Sequence, residues 1–184
     1  MSIQHIFLDM DGVLADFVGA ALRVHDRDDA LDNWPKGERD VPKVLGISRN
    51  QYWKKLDAQG SDFWANLEPY PWFAELIEMV REVAPFTILT TSSLAPSCFE
   101  GKVRWLYEHF PKVDRRRFRD FLIGEQKHLL AQPGRLLIDD AEHNVDSFTA
   151  SSGRSILFPQ VWNRNHRVAD PIEYVRSLIS GYHR

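Results

Sequence analysis

Residues 9–17 read DMDGVLADF, so three carboxylates, Asp9, Asp11 and Asp16, follow directly on the apolar run that opens the chain. Asp139 and Asp140 close another apolar run, LLIDD; Thr91 and Ser92 stand in ILTTSS; Lys127 stands in LIGEQKH. Singly these are weak signals, since most such groups are solvated surface residues. Together they describe one chemistry. Clustered carboxylates repel unless a cation or protons intervene. A hard, oxygen-rich set suits Mg²⁺, which keeps waters and takes one or two carboxylates plus substrate phosphate. An amine and hydroxyls beside it would face phosphate oxygens.

The groups share a placement as well as a type. Five short apolar or β-rich segments, Ile3 to Leu8, Phe86 to Thr90, Phe121 to Gly124, Leu136 to Ile138 and Ser155 to Phe158, read as central parallel strands, whose two covered faces give runs rather than alternation. Helical spacing marks Trp72 to Val83, Lys102 to Phe110 and Glu142 to Ala150 between the later ones. The expected fold is α/β, a Rossmann-like parallel sheet of about five strands with flanking helices and a small helical cap inserted after the first strand. In such sheets ligands gather at the carboxyl ends of the strands. Four of the five ends lead to the groups above.

The interval from Phe17 to Tyr70 lacks a convincing strand and is rich in Trp, Asp and helix formers. We read residues 17–70 as the cap and residues 1–16 and 71–184 as the catalytic core. Asp16 is the expected N-cap of FVGAALRVHDR, which sets it apart from the other two opening acids. EPYPW, residues 68–72, is the expected hinge back into the core.

The chain of 184 residues suffices for one well-buried core with a modest insertion. A net charge of −3 gives no broad pull toward nucleic acid or an anionic membrane. The single cysteine, Cys98, excludes an intrachain disulfide and a Cys-rich metal site and reads as a small semi-buried residue. The histidines have no metal-ligand spacing and read as surface or capping residues. DRRRFRD, residues 114–120, reads as a solvated helix-to-strand connection because acids flank its arginines. With no secretory signal pattern and no membrane-length apolar run, the expected location is cytoplasmic.

DMDGVLADF, TTSS, Lys127 and IDDAEHN occur in the order and context of the four motifs of the haloacid dehalogenase superfamily of phosphohydrolases, which the whole chain resembles. Within it, NLEPYPW, TTSSLAPSCFEGKVRWLYEHF and LLIDD resemble the 5′-nucleotidase and 5′(3′)-deoxyribonucleotidase group. The resemblance implies a Mg²⁺-dependent phosphomonoesterase acting on nucleoside monophosphates, deoxy forms favoured, through an aspartyl-phosphate. It implies that Asp9 is the nucleophile, Asp11 the acid/base, and Thr91, Ser92 and Lys127 the phosphate ligands. Metal would be held by Asp9, the backbone carbonyl of Asp11 and a carboxylate of the acidic pair, with Asp140 preferred to Asp139. Lys102 is either a further phosphate cation or a surface helix lysine.

One departure stands out. The group places a second basic residue shortly after the Thr-Ser pair, where this chain has SLAPS. The cap interval carries Phe17, Trp34, Tyr52, Trp53, Phe63 and Trp64, and we expect Phe17 and Trp64 to stack on a base. Two other readings stay open: a phosphatase for a sugar phosphate or another small phosphomonoester, and a non-catalytic binding protein on the same fold. The expected partner is a small molecule, with neither nucleic acid nor membrane; a homodimer is compatible with the sequence.

Overall fold

The structure is a computed structural model, which describes residues 2–110 and 117–182. Five parallel strands form one sheet in the order β3-β2-β1-β4-β5: β1 (His5–Leu8), β2 (Phe86–Thr90), β3 (Phe121–Ile123), β4 (Arg135–Asp139) and β5 (Arg154–Leu157). Both neighbours of β1 lie in register with it, Leu8 opposite Ile88 on one side and Ile138 on the other. Their carboxyl ends therefore finish at the same level, and the side chains that follow converge.

The apolar runs bury both faces of the sheet, as runs rather than alternating patterns require. Ile6, Leu8, Ile88, Leu136, Ile138 and Ile156 join the larger core, with residues of α5 (Phe73–Val83), α6 (Pro96–His109) and α8 (Pro171–Gly181). Phe7, Leu89 and Leu137 point to the opposite face and meet Phe148 of α7 (Glu142–Ala150). The sequence patterns locate all five strands to within a residue or two at each end. They start α6 too late: Pro96 takes the first turn, where a missing N–H costs nothing. The apolar-periodic α8 has no counterpart among the sequence expectations. Of DRRRFRD, Asp114 to Arg116 lie outside the described residues; Arg117 packs its guanidinium over the Tyr107 ring at 5.0 Å.

Between β1 and α5 the described chain has no strand. It carries α1 (Phe17–Val24), a 3-10 turn over Asp28–Leu31, α2 (Val41–Leu45), α3 (Arg49–Asp57) and α4 (Gly60–Ala65). This insert has its own apolar cluster, centred on Leu22, Trp34, Tyr52 and Leu56, and the core residue Trp162 enters it. Asp16 caps α1 by accepting from Gly19 N at 2.9 Å. A β-carbon at Gly19 would stand 2.1 Å from the Asp16 carboxylate, so this cap needs glycine there.

The segment expected as a hinge does more than stop helices. The chain leaves and re-enters the core antiparallel: Asp16 N donates to Glu68 O at 2.8 Å and Tyr70 N to Leu14 O at 2.9 Å. Trp72 Nε1 adds a bond to Val13 O at 2.9 Å. Both connections of the insert are thus tied to the loop that carries Asp9 and Asp11.

Candidate active site

The ends of β1, β3 and β4 bring Asp9, Lys127, Asp139 and Asp140 into one buried cluster. Lys127, on the 3-10 turn that follows β3, places Nζ 2.8 Å from Asp9 Oδ1 and 2.6 Å from Asp139 Oδ2. The chain fixes Asp9 locally: its N–H donates to Ile138 O at 2.9 Å and its Oδ1 accepts from Met10 N at 2.8 Å.

Asp139 and Asp140 are adjacent and differently engaged. Asp139 has no exposed surface; besides Lys127 it accepts from Ala141 N at 2.8 Å and from Asn144 Nδ2. Asp140 lines a cleft of about 540 Å³ above the sheet. Trp162 Nε1 donates to its Oδ2 at 2.6 Å, and Asn163 Nδ2 holds its carbonyl at 2.9 Å. Gly12, in the left-handed region at φ +74°, lies so close that a β-carbon there would stand 2.5 Å from Asp140 Oδ2. Only glycine allows both the conformation and the approach.

Oxygens of Asp9, Asp139 and Asp140 lie within 4.8 Å of one another. One ammonium serves three buried carboxyls, and the deficit shows in the acidity of Asp9 and Asp140. Burial, then Asp139, push the Asp9 carboxyl up to about 8 against the pull of Lys127. Burial, then Asp139, push Asp140 up to about 6. Burial opposes the charge on Lys127, but Asp139 and Asp9 more than offset it and raise the amine above its ordinary value. A crowded, buried, all-oxygen set short of positive charge has the donor chemistry of a hard divalent cation site. Because Asp139 is taken up by Lys127, Ala141 and Asn144, Asp9 and Asp140 are the carboxylates open to a cation on the cleft side.

Asp11 also lines the cleft. Its Oδ2 accepts from Lys102 Nζ at 2.6 Å, while its Oδ1 is buried and unpartnered. Lys102 is not the surface lysine that one reading of α6 allowed. It has no exposed surface, donates also to Thr90 Oγ1 at 2.7 Å, and stands 5.5 Å over the Trp64 ring. Thr91 opens onto the cleft and its hydroxyl donates to Gly124 O at 3.3 Å. Ser92 is not part of the cleft wall; its Oγ is buried without a partner.

The insert roofs this cleft. Phe17 and Trp53 line it, their rings stacked at 6.3 Å. Trp64, expected to meet a base, does not reach it: 2 % exposed, it stacks on Phe17 at 5.2 Å, between that ring and Lys102. The large indole is drawn into the core that the α4–α6 packing encloses, where Gly101 lets the helices touch.

Sequence reasoning missed Trp162, Arg39 and His143, all of which line the cleft. Trp162 follows the one strand end without an acid, amine or hydroxyl signal. Arg39 and His143 meet across the cleft at 2.7 Å, a contact between insert and core that no local pattern encodes. Cys98 is fully buried, its Sγ accepting from Ser93 N.

Residues 2–173 match the family described as 5′ nucleotidase, deoxy (pyrimidine), cytosolic type C protein. A Staphylococcus epidermidis protein provisionally named a 5′(3′)-deoxyribonucleotidase is 32 % identical over 174 residues, covering 91 % of this chain and 89 % of that protein. The 5′(3′)-deoxyribonucleotidase of Bacillus subtilis is 28 % identical over 185 residues, covering 95 % and 98 %. In fold, the chain is similar to a haloacid dehalogenase-like family hydrolase from Xanthomonas campestris, with a TM-score of 0.59 at 13 % identity over 100 % of this chain and 94 % of that one. Family match and relatives together show the family: the chain belongs to the 5′-nucleotidase type C family of phosphoric monoester hydrolases, on a haloacid dehalogenase-like fold.

Proposed function

We propose that the protein is a Mg²⁺-dependent phosphatase of nucleoside monophosphates, deoxy forms favoured, working in the cytoplasm through an aspartyl-phosphate. The observation that carries this reading is the convergence of Asp9, Asp11, Thr91 and Asp140 on one cleft roofed by Phe17 and Trp53. A phosphoryl group has its nucleophile and its hydroxyl ligand below, and a planar base has aromatic faces above.

Asp9 Oδ attacks phosphorus as the ester P–O bond breaks, which gives an acyl phosphate on Asp9 and an alkoxide that takes the proton of Asp11. Asp11 then removes a proton from water, which attacks the acyl phosphate and frees Asp9 and inorganic phosphate. Lys127 holds Asp9 in line and offsets negative charge on the cluster during both transfers. Asp139 keeps Lys127 charged and aimed. Asp9, the Asp11 carbonyl and Asp140 would hold Mg²⁺, which when bound neutralises phosphate oxygens and keeps Asp9 ionised. Trp162 and Asn163 orient Asp140 for that role. Phe17, backed by Trp64, is the stacking face for the base.

Phosphate release from a panel of deoxyribonucleotides, ribonucleotides and sugar phosphates tests the proposal. Deoxyribonucleoside monophosphates should be turned over fastest. Equal rates across the panel would reject the nucleotidase reading, and a preference for sugar phosphates would replace it.

A further inference from the structure

Two arginines of the insert line the cleft, and they differ in one respect. Arg49 is paired with Asp40 at 3.0 Å. Arg39 has no carboxylate partner among the described residues; its guanidinium Nη1 stands 2.7 Å from His143 Nδ1 on the opposite wall. Below the cleft Lys127 and Lys102 are held by carboxylates. Among the described residues Arg39 is therefore the cleft-lining cation with no carboxylate in direct ion-pair contact.

Its position is supported. Trp34 Nε1 donates to Glu38 O at 2.8 Å, Gly37 N to Val161 O at 2.9 Å, and Asp40 N to Glu38 Oε1 at 3.0 Å. These bonds tie the backbone on both sides of Arg39 to the insert core and to the segment that carries Trp162. Arg39 also acts on the cluster below: its charge counters part of the rise in the Asp140 pKa and adds to burial in lowering the His143 pKa. A guanidinium bonded to a neutral imidazole gives up that bond readily for a charge-assisted pair with an anion, and its planar fork matches phosphate oxygens.

We propose that Arg39 is a substrate-binding residue, leaving His143 to clamp the transferred phosphate from the insert side, opposite Asp9. This deepens the phosphatase reading and rests on it, but not on the identity of the alcohol. It assigns the missing basic residue near SLAPS to the insert, so the phosphate would be held by insert and core together.

The test compares wild type, Arg39→Ala and Arg39→Lys for inhibition by inorganic phosphate and for kcat/KM on p-nitrophenyl phosphate and a deoxyribonucleoside monophosphate, with Tm as control. Arg39→Ala should raise the phosphate inhibition constant about tenfold and lower kcat/KM on both esters by a similar factor, with Arg39→Lys between. Tm should stay at the wild-type value, because Arg39 is exposed and makes no ion pair among the described residues. An unchanged phosphate inhibition constant overturns the clamp, as does a loss confined to the nucleotide, which would place Arg39 on the nucleoside. Wild type that hydrolyses p-nitrophenyl phosphate but no nucleotide would reject the nucleotidase reading; the inhibition constants would still decide the role of Arg39.

Discussion

Lys102 Nζ lies 2.6 Å from Asp11 Oδ2, although 91 positions separate the two residues in sequence. The lysine is wholly buried and the carboxylate 26 % exposed, so the pair sits at the floor of the cleft with one side dry. Lys102 also holds Thr90, and so joins the ends of β1 and β2 through one ammonium. This is a positioning contact: it fixes the Asp11 carboxylate at the cleft through Oδ2.

Lys102→Met should therefore lower kcat about a hundredfold on a nucleotide, the scale of a misplaced catalytic group. It should cost about 2 kcal/mol of stability, below the full buried-pair figure because Asp11 is partly exposed. p-Nitrophenyl phosphate should lose less, since nitrophenolate needs little proton donation. Steady-state kinetics on both esters, with urea unfolding, check this.

The acidic cluster predicts a pH-dependent response to metal. In the metal-free protein Asp9 is raised to about 8 and Asp140 to about 6, each above its unfolded value of 3.8. Raised carboxyls contribute stability that is fully present below pH 3.8 and is lost as pH climbs through the folded values. Lys127, raised above 10.5, contributes evenly over that window. Metal-free Tm should fall between pH 5 and pH 8, and Mg²⁺ should restore more of it at pH 8 than at pH 6. Thermal melts with and without Mg²⁺ at the two values measure it.

Trp162→Phe keeps an aromatic ring in the insert cluster and removes the N–H that fixes Asp140 Oδ2. Mg²⁺ affinity by calorimetry should drop about tenfold to a hundredfold, as for other residues that orient a ligand. Tm without metal should change little by comparison.

Gly12→Ala should fail in both respects. It puts a methyl 2.5 Å from Asp140 Oδ2 and forces alanine to φ +74°. Strain alone costs about 1–2 kcal/mol, and Asp140 must move, so thermal stability and Mg²⁺ affinity should fall together in melts and titrations.

Much of this site was legible because it is encoded at strand ends. Asp9, Asp11, Lys127, Asp139 and Asp140 each follow an apolar run, and parallel strands in register carry such residues to one edge. Asp16 was legible as a cap from its place before FVGAALRV. Lys102 and Trp64 were not, because burial of a helix residue depends on what packs against it, here the α4–α6 contact and Asp11. Arg39 and His143 belong to different layers and meet only when the insert closes over the sheet. No periodicity carries that relation. Trp162 acts through a single long-range bond to Asp140, which strand-end reading cannot find.

The covalent role of Asp9 is the center of the account, and purified Asp9→Asn tests it most directly. Asparagine keeps the shape and the packing but removes the carboxylate, beside Lys127, that we propose as the nucleophile. With a deoxyribonucleoside monophosphate and saturating Mg²⁺, phosphate release should fall by about a thousandfold or more while the protein stays folded by circular dichroism. Turnover at the wild-type rate would contradict the aspartyl-phosphate mechanism.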